Sequence, residues 1–323
     1  MTASSASDDS PLREEYSIER VVPEHYPFLV ILYADAFDVT ITATEIEKRF
    51  DTTALGMRSI GFIAIHKSTN TPAGYCGVFP FKAIINGEEV QAAQRGDTMT
   101  HSQHRKKGLF ILLGEATQLA CKNEGIKILI SQPNVNSYPA TVNKLGWTKV
   151  DEIVRWDLKL KLKTFPLAKV ARKVRLLKNI YSSYVRRVFR SRTVDAASFH
   201  NTVQTDYAKV NRDANYLSYK KTTDKYFIKI DGVVIWIKLT DVLWIGDFSD
   251  YEKVSPIVLK KLRRLAFILG YNTISFNFNK SLSLPAAFQA FNVYNSEPSC
   301  MLYLDDAYKN INFVLTGADF DTW

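Results

Sequence analysis

The sequence contains no run of apolar residues that approaches the roughly 18 needed for a membrane-spanning helix. Residues 1–15 are rich in Ser, Asp and Ala and lack the apolar segment of a secretory signal peptide. A segment of this composition buries too little apolar surface to fold, so a disordered leader is predicted there. These features together predict a cytoplasmic protein.

Cysteine is scarce, with three residues far apart at Cys76, Cys121 and Cys300. The sequence has no CxxC or HxxxH pair, and this absence argues against a zinc site or any other metal site. Cys76 and Cys121 fall in apolar periodic segments. Free, buried thiols in a reducing compartment are therefore predicted.

Acidic residues are absent between Lys159 and Arg192, a segment that holds 12 Lys or Arg residues. Without them the rest of the chain would carry about −3 instead of the +9 of the whole. The positive charge thus belongs to one segment, and nucleic acid is not expected as a partner, since no binding motif accompanies it. An apolar stripe at helical spacing predicts a basic amphipathic linker helix over 161–194. The stripe consists of Leu167, Val170, Val174, Leu177, Tyr181, Tyr184 and Val188. This helix is predicted to lie on an anionic membrane surface, to dock an acidic partner, or to pack between two domains.

The chain has 323 residues, enough for two domains, and its first half alternates strand-like and helix-like patterns. Asn86-Gly87 indicates a hairpin turn between two of the strands. Strands are predicted at 16–22, 58–66, 74–84, 89–100, 126–131 and 148–160, and helices at 25–37, 43–50, 109–123 and 136–145.

The second half repeats the ending of the first at an offset of 146 residues. The anchor pairs are Thr98 with Trp244, Ile126 with Asn272, and Pro139 with Pro285. We therefore predict a tandem architecture with domains at 16–160 and 195–323.

The stretch from Asp97 to Phe110 reads as a strand, a basic glycine-containing loop and a helix. Helix N-termini carry unpaired N–H groups and a partial positive charge, so they bind anions. Gly108 allows the backbone to approach an anion closely, and Arg105, Lys106 and Lys107 add charge. The loop therefore predicts a pyrophosphate site.

Two motifs resemble those of the GNAT N-acetyltransferases. Arg105-x-x-Gly108-x-Phe110 resembles the family's pyrophosphate loop, and residues 133–147 resemble its short helix that ends in Leu-Gly-Trp. The resemblance covers roughly residues 16–160. It implies an α/β (α+β) fold of two GNAT-like domains, each a mixed, mostly antiparallel sheet flanked by helices, with the second domain degenerate. It also implies acetyl-CoA as co-substrate.

The resemblance also implies site residues. Met99, Thr100 and His101 would contact pantetheine through the main chain, and Asn136 would lie near the pantetheine arm or the thioester. The pyrophosphate would be held by Arg105, Lys106, Lys107, Gly108, Leu109 and Phe110.

The sequence departs from the family pattern at two positions. Phe110 replaces a Gly or Ala, which still leaves its N–H available. Val142 occupies the place of the tyrosine that protonates the departing thiolate in many family members. Tyr138, near the start of the same helix, is the nearest substitute, and simple packing is the alternative role for it.

A base must take the proton of the attacking amine. Asp97 leads the candidates because it lies on the strand beside the expected cofactor and would attract a cationic amine; a solvated strand-end acid is the alternative. The other candidates are Glu88, Glu89, His101, His104 and the chain end from Asp319 to Trp323.

At the 146-residue offset, Arg105, Gly108 and Phe110 correspond to Tyr251, Val254 and Pro256, so the second half lacks the loop. It is predicted not to bind CoA. Its aromatic residues are predicted either to stack on a sugar ring or to pack in the core. These are Trp236, Trp244, Phe248 and Tyr251.

The function expected from these features is transfer of an acetyl group from acetyl-CoA to a primary amine of a small acceptor, with an amino sugar as one candidate. Two alternatives stay open: an aminoacyl-tRNA-dependent transferase of the paired-GNAT type, and a non-enzymatic acyl-CoA-binding module. The sequence does not fix the acceptor, the acyl chain length or the oligomeric state.

Overall fold

The computed structural model describes residues 11–161, 163–199, 207–222 and 224–320. Residues 1–10 of the predicted leader lie outside this part, whereas residues 11–15 form a short helix rather than a disordered segment. The helices are α1 Pro11–Glu15, α2 Tyr26–Phe37, α3 Ala43–Phe50, α4 Leu109–Asn123, α5 Tyr138–Asn143, α6 Leu167–Lys173, α7 Arg175–Phe189, α8 Ala214–Tyr219 and α9 Pro256–Ile268. The strands are β1 Tyr16–Arg20, β2 Ile60–His66, β3 Thr71–Ile85, β4 Glu88–Thr100, β5 Ile128–Ser131, β6 Thr148–Lys159, β7 Ala208–Val210, β8 Lys225–Ile230, β9 Val233–Leu239, β10 Leu243–Phe248, β11 Thr273–Asn279, β12 Asn292–Tyr303 and β13 Phe313–Val314.

The chain divides into two compact units. The first contains Met1–Ala83, Glu89–Lys149 and Cys300–Asn310, and the second contains Ile84–Glu88, Val150–Ser299 and Ile311–Trp323. The strand β6 thus belongs mainly to the second unit, and the end of β12 belongs to the first.

The first unit is built on a mixed, mostly antiparallel sheet in the order β1-β2-β3-β4-β5, followed by the end of β12. The pairs β1–β2, β2–β3 and β5–β12 are antiparallel, whereas β4 and β5 are parallel and are connected by α4. The turn between β3 and β4 has positive φ at both Asn86 and Gly87, as predicted for a type I′ hairpin.

Two helix layers cover this sheet, and alternation along β2 and β3 separates them. On one face, α2 and α3 pack on a cluster that includes Ile63 and Tyr75. On the other face, α4 packs with Phe62 and Cys76, and α5 joins a cluster that includes Ile60 and Val78. The faces of β4 are therefore assigned by the helices that its side chains contact.

The second unit repeats the strand–helix–parallel strand arrangement. Its sheet runs β12-β6-β11-β10-β9-β8, and β10 pairs in parallel with β11 through α9. The order β10–α9–β11 corresponds to β4–α4–β5, which agrees with the 146-residue offset.

The basic segment does not form one continuous helix. Val174 takes an extended conformation and separates α6 from α7. Both helices bury apolar residues in the second unit, with Ala168, Val185 and Phe189 inside its core. These core residues are not those of the predicted stripe, because Leu167, Val174, Leu177 and Tyr184 of the stripe are exposed.

Three of the aromatic residues proposed for sugar stacking are core residues. Trp236, Phe248 and Tyr251 are buried in the second unit, so this interpretation is wrong for them. Trp244 is half-buried, and the guanidinium carbon of Arg155 lies 4.8 Å from its ring centroid.

All three cysteines are free and buried, as predicted, and the reducing compartment stays a prediction. In the part of the chain that the structure describes, no helix is both long and apolar enough to cross a bilayer.

Candidate functional site

The strands β4 and β5 separate at one end of their pairing. Their register covers Ala92–Gln94 against Ile128–Ile130, but β4 continues to Thr100. The two strands are therefore splayed from Arg95 onward, and a backbone edge of β4 becomes available. We call this gap the β4–β5 split.

A basic loop connects the open end of β4 to α4. Lys106 and Gly108 both have positive φ, and Gly108 is the N-cap residue of α4. No side chain caps this helix, so its first N–H groups are available for an anion. A β-carbon at Gly108 would lie 3.2 Å from Cδ1 of Leu12, and the φ of +89° is unfavourable for any other residue.

The three cations of the loop are exposed but differ in their partners. Lys107 Nζ donates to Glu15 Oε1 at 2.6 Å, and this bond raises the pKa of Lys107. Arg105 Nε donates to the carbonyl of Thr100 at 3.3 Å. Lys106 is exposed at the centre of the loop. The uncapped helix end and these cations fit a pyrophosphate.

Main-chain groups at the end of β4 are the predicted pantetheine contacts, and some of them are already hydrogen-bonded within the first unit. The N–H of His101 donates to Ala73 on β3 at 2.9 Å, and its carbonyl accepts from His104. Alternation places the main chain of Met99 on the same side, toward β3, and turns Thr100 to the other side. The N–H and the carbonyl of His101 are therefore already paired, whereas the pantetheine contacts expected of Met99 and Thr100 stay predictions.

Asp97 is not a solvated strand-end acid. Arg49 donates to both of its carboxylate oxygens, through Nε at 2.6 Å and Nη2 at 2.9 Å. The hydroxyl of Tyr33 donates to Oδ2 at 2.5 Å, and burial together with the charge of Asp97 raises the pKa of Tyr33. Asp97 has a positive φ of 53°, which marks a bulge in β4.

Arg95 occupies the split itself. Its Nε donates to Ser131 Oγ at 3.2 Å and its Nη2 to Thr141 Oγ1 at 2.7 Å. Its guanidinium carbon lies 4.6 Å from the ring centroid of Trp147 and 5.5 Å from that of Phe110. Burial lowers the pKa of Arg95, yet an arginine stays protonated at any physiological pH.

The short helix α5 places Tyr138 and Val142 on one face, four residues apart. Both pack against the cluster that contains the α4 side chains. Tyr138 thus lies one turn before the position of the missing tyrosine and on the same side of the helix. Asn134 Oδ1 accepts from the N–H groups of Asn136 and Ser137, and the Asn136 side chain is exposed.

Two histidines flank the start of the loop. His101 Nε2 lies 3.7 Å from Asp35 Oδ1, and Asp35 also accepts from the N–H and hydroxyl of Ser102. His104 Nδ1 lies 2.8 Å from the hydroxyl of Tyr16, and burial lowers the pKa of His104. Both side chains position the loop.

The corresponding region of the second unit is closed. The side chain of Ser255 caps α9 by accepting from the Val258 N–H. The pairing of β10 with β11 ends at Ile245, and the turn at Gly317 packs against β10 there, with the Ile245 carbonyl 3.4 Å from a β-carbon built at Gly317. Within the described residues of the second unit, α9 is therefore capped and the place of a split beside β10 is filled.

Sequence reasoning missed Arg95, Arg49 and Tyr33. Arg95 is a charged residue within an otherwise small and neutral strand stretch, Ala92-Ala93-Gln94-Arg95-Gly96, and that contrast was the available signal. Of the candidate bases at the chain end, Asp319 is buried in the second unit, and residues 321–323 lie outside the described residues.

Comparison with known proteins gives a consistent picture. Residues 18–150 match the family model described as acetyltransferase (GNAT) domain. Among curated proteins, no sequence matches this chain significantly.

Among solved structures, a probable N-acyltransferase from Enterococcus faecalis is similar at 13% identity and a TM-score of 0.56, over 90% of this chain and 72% of its own. A GCN5-related N-acetyltransferase from Kribbella flavida is similar at 11% identity and a TM-score of 0.54, over 91% of this chain and 72% of its own. A putative acetyltransferase from Pyrococcus horikoshii is similar at 11% identity and a TM-score of 0.52, over 93% of both chains. At these identities the similarity establishes the fold.

Proposed function

Because residues 18–150 match the family model of a GNAT acetyltransferase domain, we propose that this protein transfers an acetyl group from acetyl-CoA to a primary amine of a small acceptor. The observation that carries the proposal is the uncapped N-terminus of α4 beside the β4–β5 split. The helix end supplies N–H donors for a pyrophosphate, and the split supplies a strand edge for an extended amide chain.

The geometry suggests which residues would hold acetyl-CoA. The N–H groups from Gly108 to Phe110 would face the pyrophosphate, and Arg105, Lys106 and Lys107 would surround it with positive charge. Thr100 offers its main chain to the pantetheine amides. The exposed Asn136 lies at the start of α5, where its amide would reach the same arm.

Acyl transfer requires a nitrogen–carbon bond to form, a carbon–sulfur bond to break and the amine to lose a proton. We assign Asp97 as the carboxylate that attracts the ammonium form of the acceptor and receives the proton. Its side chain lies on the α2–α3 face, opposite the face that carries α4 and the loop. Acceptor and acetyl-CoA would thus approach β4 from different sides.

Tyr138 is the proposed proton donor to the departing sulfur. It occupies the face of α5 that packs toward α4, one turn from Val142. The Tyr138 phenol would take over the role of the tyrosine that many family members have at the position of Val142.

The second unit is proposed not to bind acetyl-CoA, because Ser255 caps α9 and the segment at Gly317 packs where its split would open. The buried thiols are compatible with a cytoplasmic location, which stays part of the proposal.

Isothermal titration with acetyl-CoA, followed by a thiol-release assay over a panel of small amines that includes amino sugars, tests the function. We expect one acetyl-CoA site per chain and amine-dependent thiol release. Acetyl-CoA binding without release for any amine would instead support an acyl-CoA-binding module. An absence of acetyl-CoA binding would contradict the proposal and favour an aminoacyl-tRNA-dependent transferase.

A further inference from the structure

Arg95 is a buried cation for which the described residues supply no counter-ion. Its exposed fraction is 8%, and its two hydrogen bonds go to the neutral hydroxyls of Ser131 and Thr141. Within the described part of the chain, Nη1 has no hydrogen-bond acceptor. A buried, unpaired ion is costly, so the side chain indicates that an anionic partner binds there.

The second unit shows how this chain treats a buried arginine with a structural role. Arg212 donates to Asp319 at 2.7 Å and also pairs with Asp247, next to the end of the β10–β11 pairing. These charges raise the pKa of Arg212. Arg95 lies next to the corresponding end of the β4–β5 pairing, and no carboxylate of the described residues pairs with it. Arg212 is thus neutralised by carboxylates of its own unit, whereas Arg95 has a charge that a bound anion could neutralise.

The position of Arg95 identifies which part of a ligand it would meet. Its side chain leaves β4 on the α4–α5 face and bridges the split to Ser131, the last residue of β5. It is also bonded to Thr141, which precedes Val142. The guanidinium thus lies between the strand edge that would bind pantetheine and the helix that carries Tyr138.

Resting on the proposed function, we propose that Arg95 stabilises the CoA thiolate as it leaves the acyl group. When the carbon–sulfur bond breaks, its electron pair stays on sulfur and the guanidinium keeps its protons. The amine proton passes to Asp97, and the thiolate is held by charge until Tyr138 or solvent protonates it. No further reactant is needed. A fixed cation of this kind stabilises developing negative charge without reorganisation.

The test measures the thiol pKa of bound CoA from thiolate absorbance near 240 nm, with the complex of dethio-CoA as the blank. The protein thiols do not interfere, because burial raises the pKa of Cys300 to about 11 and that of Cys121 to about 12. In the wild-type protein we expect the bound thiol to titrate at lower pH than free CoA. In Arg95→Met this lowering should disappear, and turnover should fall about 10²-fold.

Two variants separate charge from structure. Arg95→Lys keeps a cation and should keep part of the lowering. Thr141→Val removes one hydrogen bond of Arg95 but not its charge, and it should retain the lowered thiol pKa. A purely structural role would give Thr141→Val and Arg95→Met the same effect.

The wild-type measurement alone decides the matter even if Arg95→Met does not fold. A bound thiol that titrates no lower than free CoA overturns the inference but leaves the proposed function standing. The same holds if Arg95→Met and the wild type titrate alike. If calorimetry shows no CoA binding, the proposed function and this inference both fail.

A second, independent observation concerns the exposed face of α7. Leu177, Ile180 and Tyr184 follow one another at helical spacing, and Ile180 is 64% exposed. The hydroxyl of Tyr184 donates to the carbonyl of Ile268 at 2.8 Å, so this stripe adjoins the end of α9. Phe267 and Ile268 extend it there and are also exposed. We call these five residues the apolar patch.

Cations flank the apolar patch on both helices. Lys178, Arg186, Arg187 and Arg190 are exposed on and after α7, and Arg264 is exposed on α9, one turn before Ile268. Neither α7 nor α9 contains an aspartate or a glutamate. Apolar side chains surrounded by cations match a lipid surface with anionic headgroups better than an apolar protein partner.

We infer that the apolar patch binds the surface of an anionic membrane. Sedimentation with vesicles of phosphatidylcholine containing phosphatidylserine should recover the full-length protein, and pure phosphatidylcholine should not. Raising the salt concentration to about 0.5 M should weaken this binding, because charged contacts are screened. Ile180→Asp should reduce it at least tenfold. Leu119→Asp, a matched change at a 61% exposed position on α4, should leave it unchanged.

Three outcomes overturn the membrane inference. One is no recovery with anionic vesicles at low salt. Another is self-association in sedimentation velocity that Ile180→Asp abolishes, because a second copy would then cover the patch. The third is binding to a poly-glutamate peptide without binding to vesicles.

Discussion

Arg95 and Asp97 are separated by one residue on β4, yet their side chains lie on opposite faces of the sheet. Residues two apart on a regular strand share a face. The positive φ of Asp97 interrupts this alternation, so that Arg95 contacts α4 and α5 whereas Asp97 contacts α2 and α3. One bulge thereby directs a cation to the proposed cofactor side and a carboxylate to the proposed acceptor side.

The pyrophosphate loop gives the first prediction. Arg105→Ala combined with Gly108→Asp removes a cation and points a carboxylate at the phosphates, so acetyl-CoA binding should be lost. Thermal shift with acetyl-CoA is the measurement. Gly125→Asp is the control, because Gly125 has a similar φ of +84° at the end of α4 and no atom crowds it. An undiminished shift in the double variant would place the cofactor elsewhere.

Tyr138 gives the second prediction. Tyr138→Phe removes only the hydroxyl, so packing against the α4 cluster and acetyl-CoA affinity should survive. Turnover should fall about 10²-fold if the phenol is the general acid. Steady-state thiol release with the best amine measures it. More than half of the original turnover in Tyr138→Phe would falsify this role, and Val142→Tyr would then be expected to accelerate the reaction.

Asp97 gives the third prediction. Asp97→Asn removes the negative charge that would receive the proton and that pairs with Arg49, so turnover should drop while acetyl-CoA affinity stays within about threefold. Unfolding in urea should show a loss of about 2 kcal/mol, less than for a fully buried pair because Arg49 is 28% exposed. The double variant with Arg49→Met should recover stability but not turnover. Recovery of turnover as well would reduce Asp97 to a structural role.

Local sequence features predicted the strand, loop and helix around the site but not its interior. The apolar stripe placed α4 at residues 109–123, and the structure has the same bounds. The glycine, the cations and the helix start of the loop lie together in the sequence, so an anion site could be predicted from them. The hairpin at Asn86-Gly87 was equally local.

The remaining features depend on distant contacts. Arg49 lies 48 residues from Asp97, and no periodicity connects them. The bulge at Asp97 reverses the faces of β4, so strict alternation along the strand would have placed Asp97 on the same face as Arg95. Residues 300–303 pair with β5 in the first unit although residues 150–299, which precede them, belong to the second, and local patterns do not encode this return.

The cysteines give a fourth prediction. Burial raises the pKa of Cys121 to about 12 and that of Cys300 to about 11, and it also raises the pKa of Cys76. At pH 8 the native protein should therefore react with iodoacetamide far more slowly than the protein unfolded in urea, where all three thiols become accessible. Mass spectrometry after timed alkylation measures this. Alkylation of any of the three at the rate of the unfolded chain would show that burial does not protect it.

His104 gives the last prediction, on pH dependence. Burial, with smaller contributions from His66 and Lys107, holds the pKa of His104 below its ordinary value of 6.5 in the folded protein. The unfolded chain titrates near 6.5, so between the two values it binds more protons than the native state does. The contribution of His104 to stability is therefore complete above pH 6.5 and is lost as the pH falls through the pKa of His104 in the folded protein.

His104→Gln keeps a hydrogen-bonding group for Tyr16 but does not titrate. Urea unfolding at pH 7.5, 6.5 and 5.5 should show a smaller loss of unfolding free energy on acidification in His104→Gln than in the wild type. Equal losses would mean that His104 is protonated in the folded protein as readily as in the unfolded chain.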